Sequence, residues 1–256
     1  VIPPSDIRWL DRLAPPGERE ALARRRSEGE PLQYVLGRWA FRSLELIVDS
    51  RALIPRPETE QVVEVAFGEI AGRRHPVVVD LGTGTGAIAL AAATELHEAQ
   101  VWGTDVDADA LALATENRNQ LGAAVLFAQG SWFEALPGHL RGWIDLVVSN
   151  PPYVSEEEWP ELDPEVRREP YGALVAKSGS DGTPGLCAVE SVLRAAPEWL
   201  AEGGAIVVEM APHQARAAVA VAHSVGLSQV RVVQDLAGRD RAVVARSERR
   251  SRWHAG

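Results

Sequence analysis

The sequence holds a single cysteine, Cys187. One thiol can close no intramolecular disulfide and build no cysteine metal cluster, so the expected place for it is that of a small buried hydrophobe. Its six histidines, His75, His97, His139, His213, His223 and His254, show no metal-ligand spacing, and no metal is expected. A basic excess is missing too: 26 Lys and Arg stand against 36 Asp and Glu, a net charge of -10. That balance argues against a phosphate backbone as the main partner. No apolar run is long enough to span a bilayer, and no signal-peptide pattern is present. No membrane partner is therefore expected, and the cytoplasm is the expected compartment. No internal repeat is seen.

What is present is 256 residues, enough for one large domain and a small appendage. The chain reads as four parts: 1–36 a short helical N-terminal domain, 37–60 a β-hairpin linker, 61–246 the main domain, and 247–256 a basic tail. Glu18 to Ser27 is charged and helix-compatible, with Arg24, Arg25 and Arg26 expected as a solvated helix end. Trp39 to Phe41 and Leu44 to Val48 read as a hairpin. "LIPRPETE" (53–60) then opens a helix for which Thr59 is one possible N-cap. From Pro76 onward strands and helices alternate. Strands are expected at 77–79, 101–103, 125–127, 144–148 and 205–208, with helices at 87–96, 109–121, 186–200 and 214–225. Two further strands, 230–233 and 242–245, are joined by a tight turn and could add an antiparallel strand. Such alternation implies an α/β, doubly wound sheet with ligands at the carboxyl ends of its strands.

"VVVDLGTGTGAIAL" places Gly82, Gly84 and Gly86 between a strand and a helix, with Asp80 ahead of them and Thr83 and Thr85 between. Glycines let a ligand approach the backbone, and the following helix offers its positive end. The spacing is GxGxG, not GxGxxG. Asp105 ends the next strand, at the distance from which an acid can accept both hydroxyls of a ribose. A dinucleotide and S-adenosylmethionine both satisfy this arrangement; helix capping is the competing role, although Asp107 and Asp109 lie nearer that helix. Trp132, after the third strand, suits either adenine stacking or core packing.

The fourth strand runs into "SNPPYV". Two prolines end both strand and helix, because neither offers an N–H, and the residue before each is driven to extended conformations. Asn150 is thereby held in a stiff turn beside the glycine loop. If its side-chain oxygen and the Pro151 carbonyl accept the two protons of a planar NH2 group, that nitrogen is fixed and enriched in electrons for alkylation. Tyr153 could supply a stacking face. A plain structural turn explains the prolines but not the Asn and Tyr that flank them.

"DLGTGTGAIAL", "GTDVD", "SWFEAL" and "SNPPYVSEEE", with "GEPLQYVLG" and "LIPRPETE" upstream and "EVRREPYGALVA" downstream, together resemble the HemK/PrmC family of release factor glutamine methyltransferases. The resemblance runs from about Ala23 to Ala245. It implies a seven-stranded class I S-adenosylmethionine-dependent methyltransferase sheet with a small helical N-terminal domain. By the same resemblance, S-adenosylmethionine is the cofactor and S-adenosylhomocysteine the product. The family methylates the glutamine side-chain nitrogen of the Gly-Gly-Gln loop in class I peptide chain release factors, the expected partners. Carried over by motif, Asp80, Gly82, Thr83, Gly84, Thr85, Gly86, Asp105, Trp132 and Asn150 hold the cofactor. Asn150, Pro151, Pro152 and Tyr153 bind the glutamine, with Asn150, Pro151 and Tyr153 carrying the catalysis. "LIPRPETE" resembles the release-factor branch, whereas a sister branch acting on a ribosomal protein reads Pro-Arg-Ser-Pro there. Three features depart from the family pattern: Ser131 and Ala40 stand where an acid is common, and the N-terminal domain is shorter than usual. A monomer is expected.

Two other functions share parts of this pattern. Amino-methyltransferases of nucleic-acid bases use a similar (Asn/Asp)-Pro-Pro-(Tyr/Phe), but a flipped base needs a cationic path for its strand, and the acids from Glu156 to Glu165 oppose one. A non-catalytic nucleotide-binding adaptor would have no use for Asn150 and Tyr153. A dehydrogenase would have no use for the motif at all.

Overall fold

Seven strands form one twisted sheet in the computed structural model, which describes residues 2–248. Of the expected basic tail, 249–256 lie outside the described residues. A separate two-stranded hairpin precedes the sheet, made of β1 (Arg38–Phe41) and β2 (Leu44–Ile47). The sheet strands are β3 (Val77–Leu81), β4 (Gln100–Asp105), β5 (Val125–Gln129), β6 (Ile144–Ser149), β7 (Leu200–Glu209), β8 (Leu227–Gln234) and β9 (Asp240–Ser247). Their order is β5-β4-β3-β6-β7-β9-β8, parallel from β5 to β7, with β9 antiparallel to both β7 and β8.

Strand burial follows this order. β6 and the 205–208 part of β7, inside the sheet, are near-continuous apolar runs, because helices cover both faces. β8, at the edge, alternates between more and less buried positions. The turn that lets β9 re-enter between β7 and β8 is tied by Asp235. Its carboxylate accepts from the backbone N–H of Ala237 (2.9 Å) and Arg239 (3.0 Å) and is paired with Arg239 and Arg241.

Nine α-helices are described: α1 (Pro4–Leu13), α2 (Arg19–Ser27), α3 (Leu32–Leu36), α4 (Pro57–Glu69), α5 (Ala87–Glu95), α6 (Ala108–Leu121), α7 (Tyr171–Leu174), α8 (Cys187–Trp199) and α9 (Ala215–Ser224). α4 and α5 pack on one face with the hairpin, around Phe41, Leu46, Val63 and Leu90. α8 and α9 pack on the other, around Leu186, Leu193, Trp199 and Ala222. Burying each such Leu or Phe contributes about 1.5–3 kcal/mol. The chain goes outward through α5 on one side of β3 and through α8 on the other side of β6. Between β3 and β6 it therefore leaves a crevice at the carboxyl ends, where open α/β sheets bind ligands.

Several local expectations are corrected. α1 and α3 were not legible, and with α2 they share a small core of Leu10, Leu22, Leu32 and Val35. Arg26 is not a solvated helix end. Its guanidinium is nearly buried and donates to Asp6 (2.7 Å) and Glu165 (2.7 Å), tying α1 and α2 to the segment that follows the Asn-Pro-Pro-Tyr turn. Cys187 is half-buried at the start of α8 rather than in the core. Thr59 is not an N-cap: Pro57, with its pre-set φ and no N–H to leave unpaired, opens α4 two residues earlier, and Arg56 occupies the cap position.

Candidate active site

A cavity of about 310 Å³ occupies the crevice between the ends of β3, β4 and β6. Gly82, Thr83, Gly84 and Thr85 form one side, Asp105, Val106 and Trp132 another, and Asn150 and Pro152 a third. "LIPRPETE" supplies Leu53, Pro55, Arg56 and Thr59, so the linker closes a wall of the cavity.

The glycine-loop side is held by backbone. Both Gly82 N–H and Thr83 N–H donate to the Thr104 carbonyl (2.8 Å each), and Gly86 N–H donates to Thr83 (2.8 Å). Gly82 has φ +73°, which favours glycine, and a Cβ there would lie 3.3 Å from the Trp132 ring, a tight contact. Gly86, the cap of α5 at φ +84°, does not line the cavity; a Cβ there would meet Leu90 and Ala114. Asp80 does not line it either. It is fully buried beneath the loop, where one oxygen accepts from Thr83 Oγ1 (2.6 Å) and Ala89 N–H (3.1 Å) while Oδ1 has no partner. Burial pushes its carboxyl up to about 7.

Asp105 sits at the end of β4 and accepts from Gly84 N–H (2.9 Å) and Asp107 N–H (3.0 Å). Burial raises its pKa. The helix-capping alternative goes to another residue: the Asp107 side chain caps α6 by accepting from Asp109 N–H (2.8 Å). Each Asp105 oxygen keeps a lone pair for a further donor. Beside it Val106 is 71% exposed, an apolar surface directed at solvent next to a carboxylate. Trp132 has φ +47°, a conformation that costs a residue other than glycine roughly 1–2 kcal/mol, and its half-buried ring borders both the cavity and the α8 side of the core.

The Asn-Pro-Pro-Tyr side is held by side chains brought from far along the sequence. Asn150 Nδ2 donates to Thr59 Oγ1 (3.1 Å), and Thr59 Oγ1 donates to Glu209 Oε2 (2.8 Å). The Tyr153 hydroxyl donates to Glu209 Oε1 (3.3 Å). Among the described residues none donates to Asn150 Oδ1. The Tyr153 hydroxyl is thus directed at Glu209; neither Tyr153 nor the buried Pro151 lines the cavity. Burial raises the Tyr153 phenol further above its usual range and pushes the Glu209 carboxyl up to about 7. Gln214 locks the turn from below, donating to the carbonyls of Tyr153 (2.9 Å) and Pro184 (2.8 Å). Gly185 must be glycine there, since a Cβ would fall 2.2 Å from the Tyr153 carbonyl oxygen. Arg56 faces the cavity in an ion pair with the buried Glu169, whose other oxygen accepts from Ile54 N–H (3.0 Å).

The chain matches known proteins over most of its length. A family model described as "Methyltransferase small domain" matches residues 66–162. A protein of Bordetella pertussis named release factor glutamine methyltransferase is 44% identical over 220 residues, covering 86% of this chain and 79% of its own. One of the same name from Deinococcus radiodurans is 37% identical, covering 94% and 84%. The chain belongs to the release factor glutamine methyltransferase family. Its fold is also that of more distant methyltransferases. One from Pyrococcus furiosus superposes with a TM-score of 0.60 at 18% identity, covering 82% of this chain and 91% of the other. A Thermus thermophilus 16S rRNA N2 G1207 methyltransferase, solved with AdoMet and guanosine, gives 0.58 at 17% identity, covering 82% and 49%. The class I S-adenosylmethionine-dependent methyltransferase sheet expected for the family is therefore the fold observed.

Sequence reasoning missed Glu209, Gln214, Arg56 and Val106 as site neighbours and misplaced Thr59. Glu209 had left a signal: in "AIVVEM" a lone acid ends an apolar strand, and the carboxyl ends of such strands face the ligand. Gln214 left none.

Proposed function

We propose that this member of the family transfers a methyl group from S-adenosylmethionine to the side-chain nitrogen of the Gly-Gly-Gln glutamine in class I peptide chain release factors. The observation that carries this reading is the state of Asn150. It lines the same cavity as the glycine loop and Asp105, and its amide nitrogen is already committed to Thr59, so its oxygen remains as an acceptor. No backbone N–H among the described residues donates to the Pro151 carbonyl. The Asn150 oxygen suits one proton of a carboxamide NH2, and the Pro151 carbonyl, on a buried residue next to the cavity lining, is the acceptor proposed for the other.

The residues present fit the cofactor. Asp105 retains acceptor capacity for the ribose hydroxyls, Val106 and Trp132 offer apolar surfaces for a flat ring, and the walls at Gly82 and Gly84 are bare backbone. When bound, the cofactor supplies an electrophilic methyl group. The chain's own contribution is positioning. Asn150 Oδ1 and the Pro151 carbonyl accept the substrate N–H bonds, restrain the nitrogen and keep its lone pair available. Fixing the reactants in this way can lower a barrier by about 7–11 kcal/mol in favourable cases. No nucleophilic side chain is required. The 37–60 linker closes the substrate wall and the helices of 1–36 grip the release factor, while the chain acts as a monomer in the cytoplasm.

The test is to incubate the protein with methyl-labelled cofactor and either an unmethylated class I release factor or duplex DNA. Label in the release factor and not in the DNA is expected. Equal labelling of DNA would replace this substrate class with a nucleic-acid base.

A further inference from the structure

The hydrogen-bond chain behind Asn150 has a polarity, and that polarity has a consequence for substrate choice. Glu209 is buried at the end of β7, and as a carboxylate it can only accept. It therefore takes the Thr59 proton, and the Thr59 oxygen is left to receive a proton from Asn150. Asn150 must then turn its NH2 group toward α4, because its oxygen would find no donor there. We infer that Thr59 and Glu209 are positioning residues that fix the Asn150 amide with its oxygen, and not its nitrogen, offered to the substrate.

This inference rests on the role given to Asn150 in the proposed function and extends it. An oxygen offered to the cavity receives an N–H and so favours a carboxamide NH2. The reversed amide would offer a donor instead and favour a carbonyl or carboxylate. Asparagine alone has no preference between the two orientations, since they differ by a rotation about one bond. The preference is imposed from 91 residues upstream by Thr59 and from 59 residues downstream by Glu209. Tyr153 reinforces it: its hydroxyl occupies the second Glu209 oxygen (3.3 Å), so both oxygens are acceptors in use.

The charged and titratable groups that bear on Glu209 are Arg241 from β9, itself paired with Asp235, together with Glu58 from α4 and the Tyr153 phenol. Burial outweighs Arg241 and lifts the Glu209 carboxyl to about 7. Protonation at Oε2 would make Glu209 a donor to Thr59 and remove the reason for the Asn150 orientation. Activity should then decline as pH falls through that region.

The experiment uses Thr59→Val, Thr59→Ser and Glu209→Gln in the full chain, with two readouts. The first is methylation of release factor, with kcat and the KM values resolved across pH 6 to 9. Thr59→Val keeps the shape and loses the hydroxyl, so kcat should fall about tenfold or more, with cofactor affinity within about twofold, and Thr59→Ser should restore most of it. Glu209→Gln can still accept from Thr59 through its oxygen and does not titrate, so the decline of kcat at low pH should disappear. The second readout is independent of any substrate. The chain has three asparagines, Asn117, Asn119 and Asn150, so selective 15N-asparagine labelling gives three side-chain NH2 pairs. The pair lost in Asn150→Ala should exchange with water slowly in the wild type and at the rate of a free amide in Thr59→Val. An unchanged Asn150 amide in Thr59→Val, or an acid decline that survives in Glu209→Gln, would overturn the inference. A wild type that methylates no glutamine would count against the proposed function alone, because the amide exchange would still decide the orientation.

Discussion

The two sides of the cavity are built in opposite ways. The glycine-loop side is local: Asp80, the loop and the start of α5 lie within ten residues of one another, and backbone N–H groups make most of its contacts. The Asn-Pro-Pro-Tyr side is assembled from Thr59, Asn150, Tyr153, Glu209 and Gln214, which meet only in the folded chain. A local backbone cradle can serve any ligand carrying the same nucleoside. A side-chain network gathered over 150 residues commits the opposite wall to one hydrogen-bond polarity. In the proposed reaction, cofactor binding is the general half of this enzyme and substrate recognition the particular half.

Substitutions should separate the halves. Asn150→Ala removes the acceptor proposed for the reacting amide and should lower turnover by on the order of 10²–10³, as loss of one preorganised hydrogen-bonding group does elsewhere. Its cofactor affinity by calorimetry should stay near wild type, and equal losses in both would merge the two sides. Asp105→Ala should do the reverse: cofactor affinity weaker by about 1.5–3 kcal/mol, with turnover at saturating cofactor little changed. Unchanged affinity would leave Asp105 as a brace for Gly84 and Asp107.

Asp80→Asn should have the smallest effect on activity and a distinct effect on stability. The Asp80 carboxyl is raised from 3.8 to about 7, so the native state holds a proton that the unfolded chain has already released. The stability tied to that proton is full below pH 3.8 and is lost as pH rises to about 7, at up to about 1.4 kcal/mol per pH unit. The neutral Asn variant lacks this loss. Its stability in urea, relative to wild type, should therefore increase from pH 4.5 to 7 and level off above. A difference that does not vary with pH would show that Asp80 is ionised throughout.

How far each side was legible follows from the same contrast. The sheet and the loop were readable because a strand, a GxGxG turn and a helix follow one another directly, and Asp105 ends the next strand. The antiparallel β9 was readable from the tight turn at 237–240. Asn150 stood out because two prolines leave it no other conformation. Thr59 was misread because its position near a helix start suggested a cap, whereas its hydroxyl is used 150 residues away by Glu209. The hydroxyl partner of Tyr153 was hidden for the same reason, because Glu209 lies 56 residues further along the chain. Arg24 to Arg26 looked like a solvated run because Glu165, which pairs with Arg26, is 139 residues distant.

The most direct test of the central claim is to locate the transferred methyl group. Release factor treated with the protein and methyl-labelled cofactor would be digested and its peptides fragmented by mass spectrometry. A single added methyl on the glutamine of Gly-Gly-Gln, absent when Asn150→Ala replaces the wild type, is the predicted result. A methyl on any other residue, or one that Asn150→Ala installs equally well, would contradict the account.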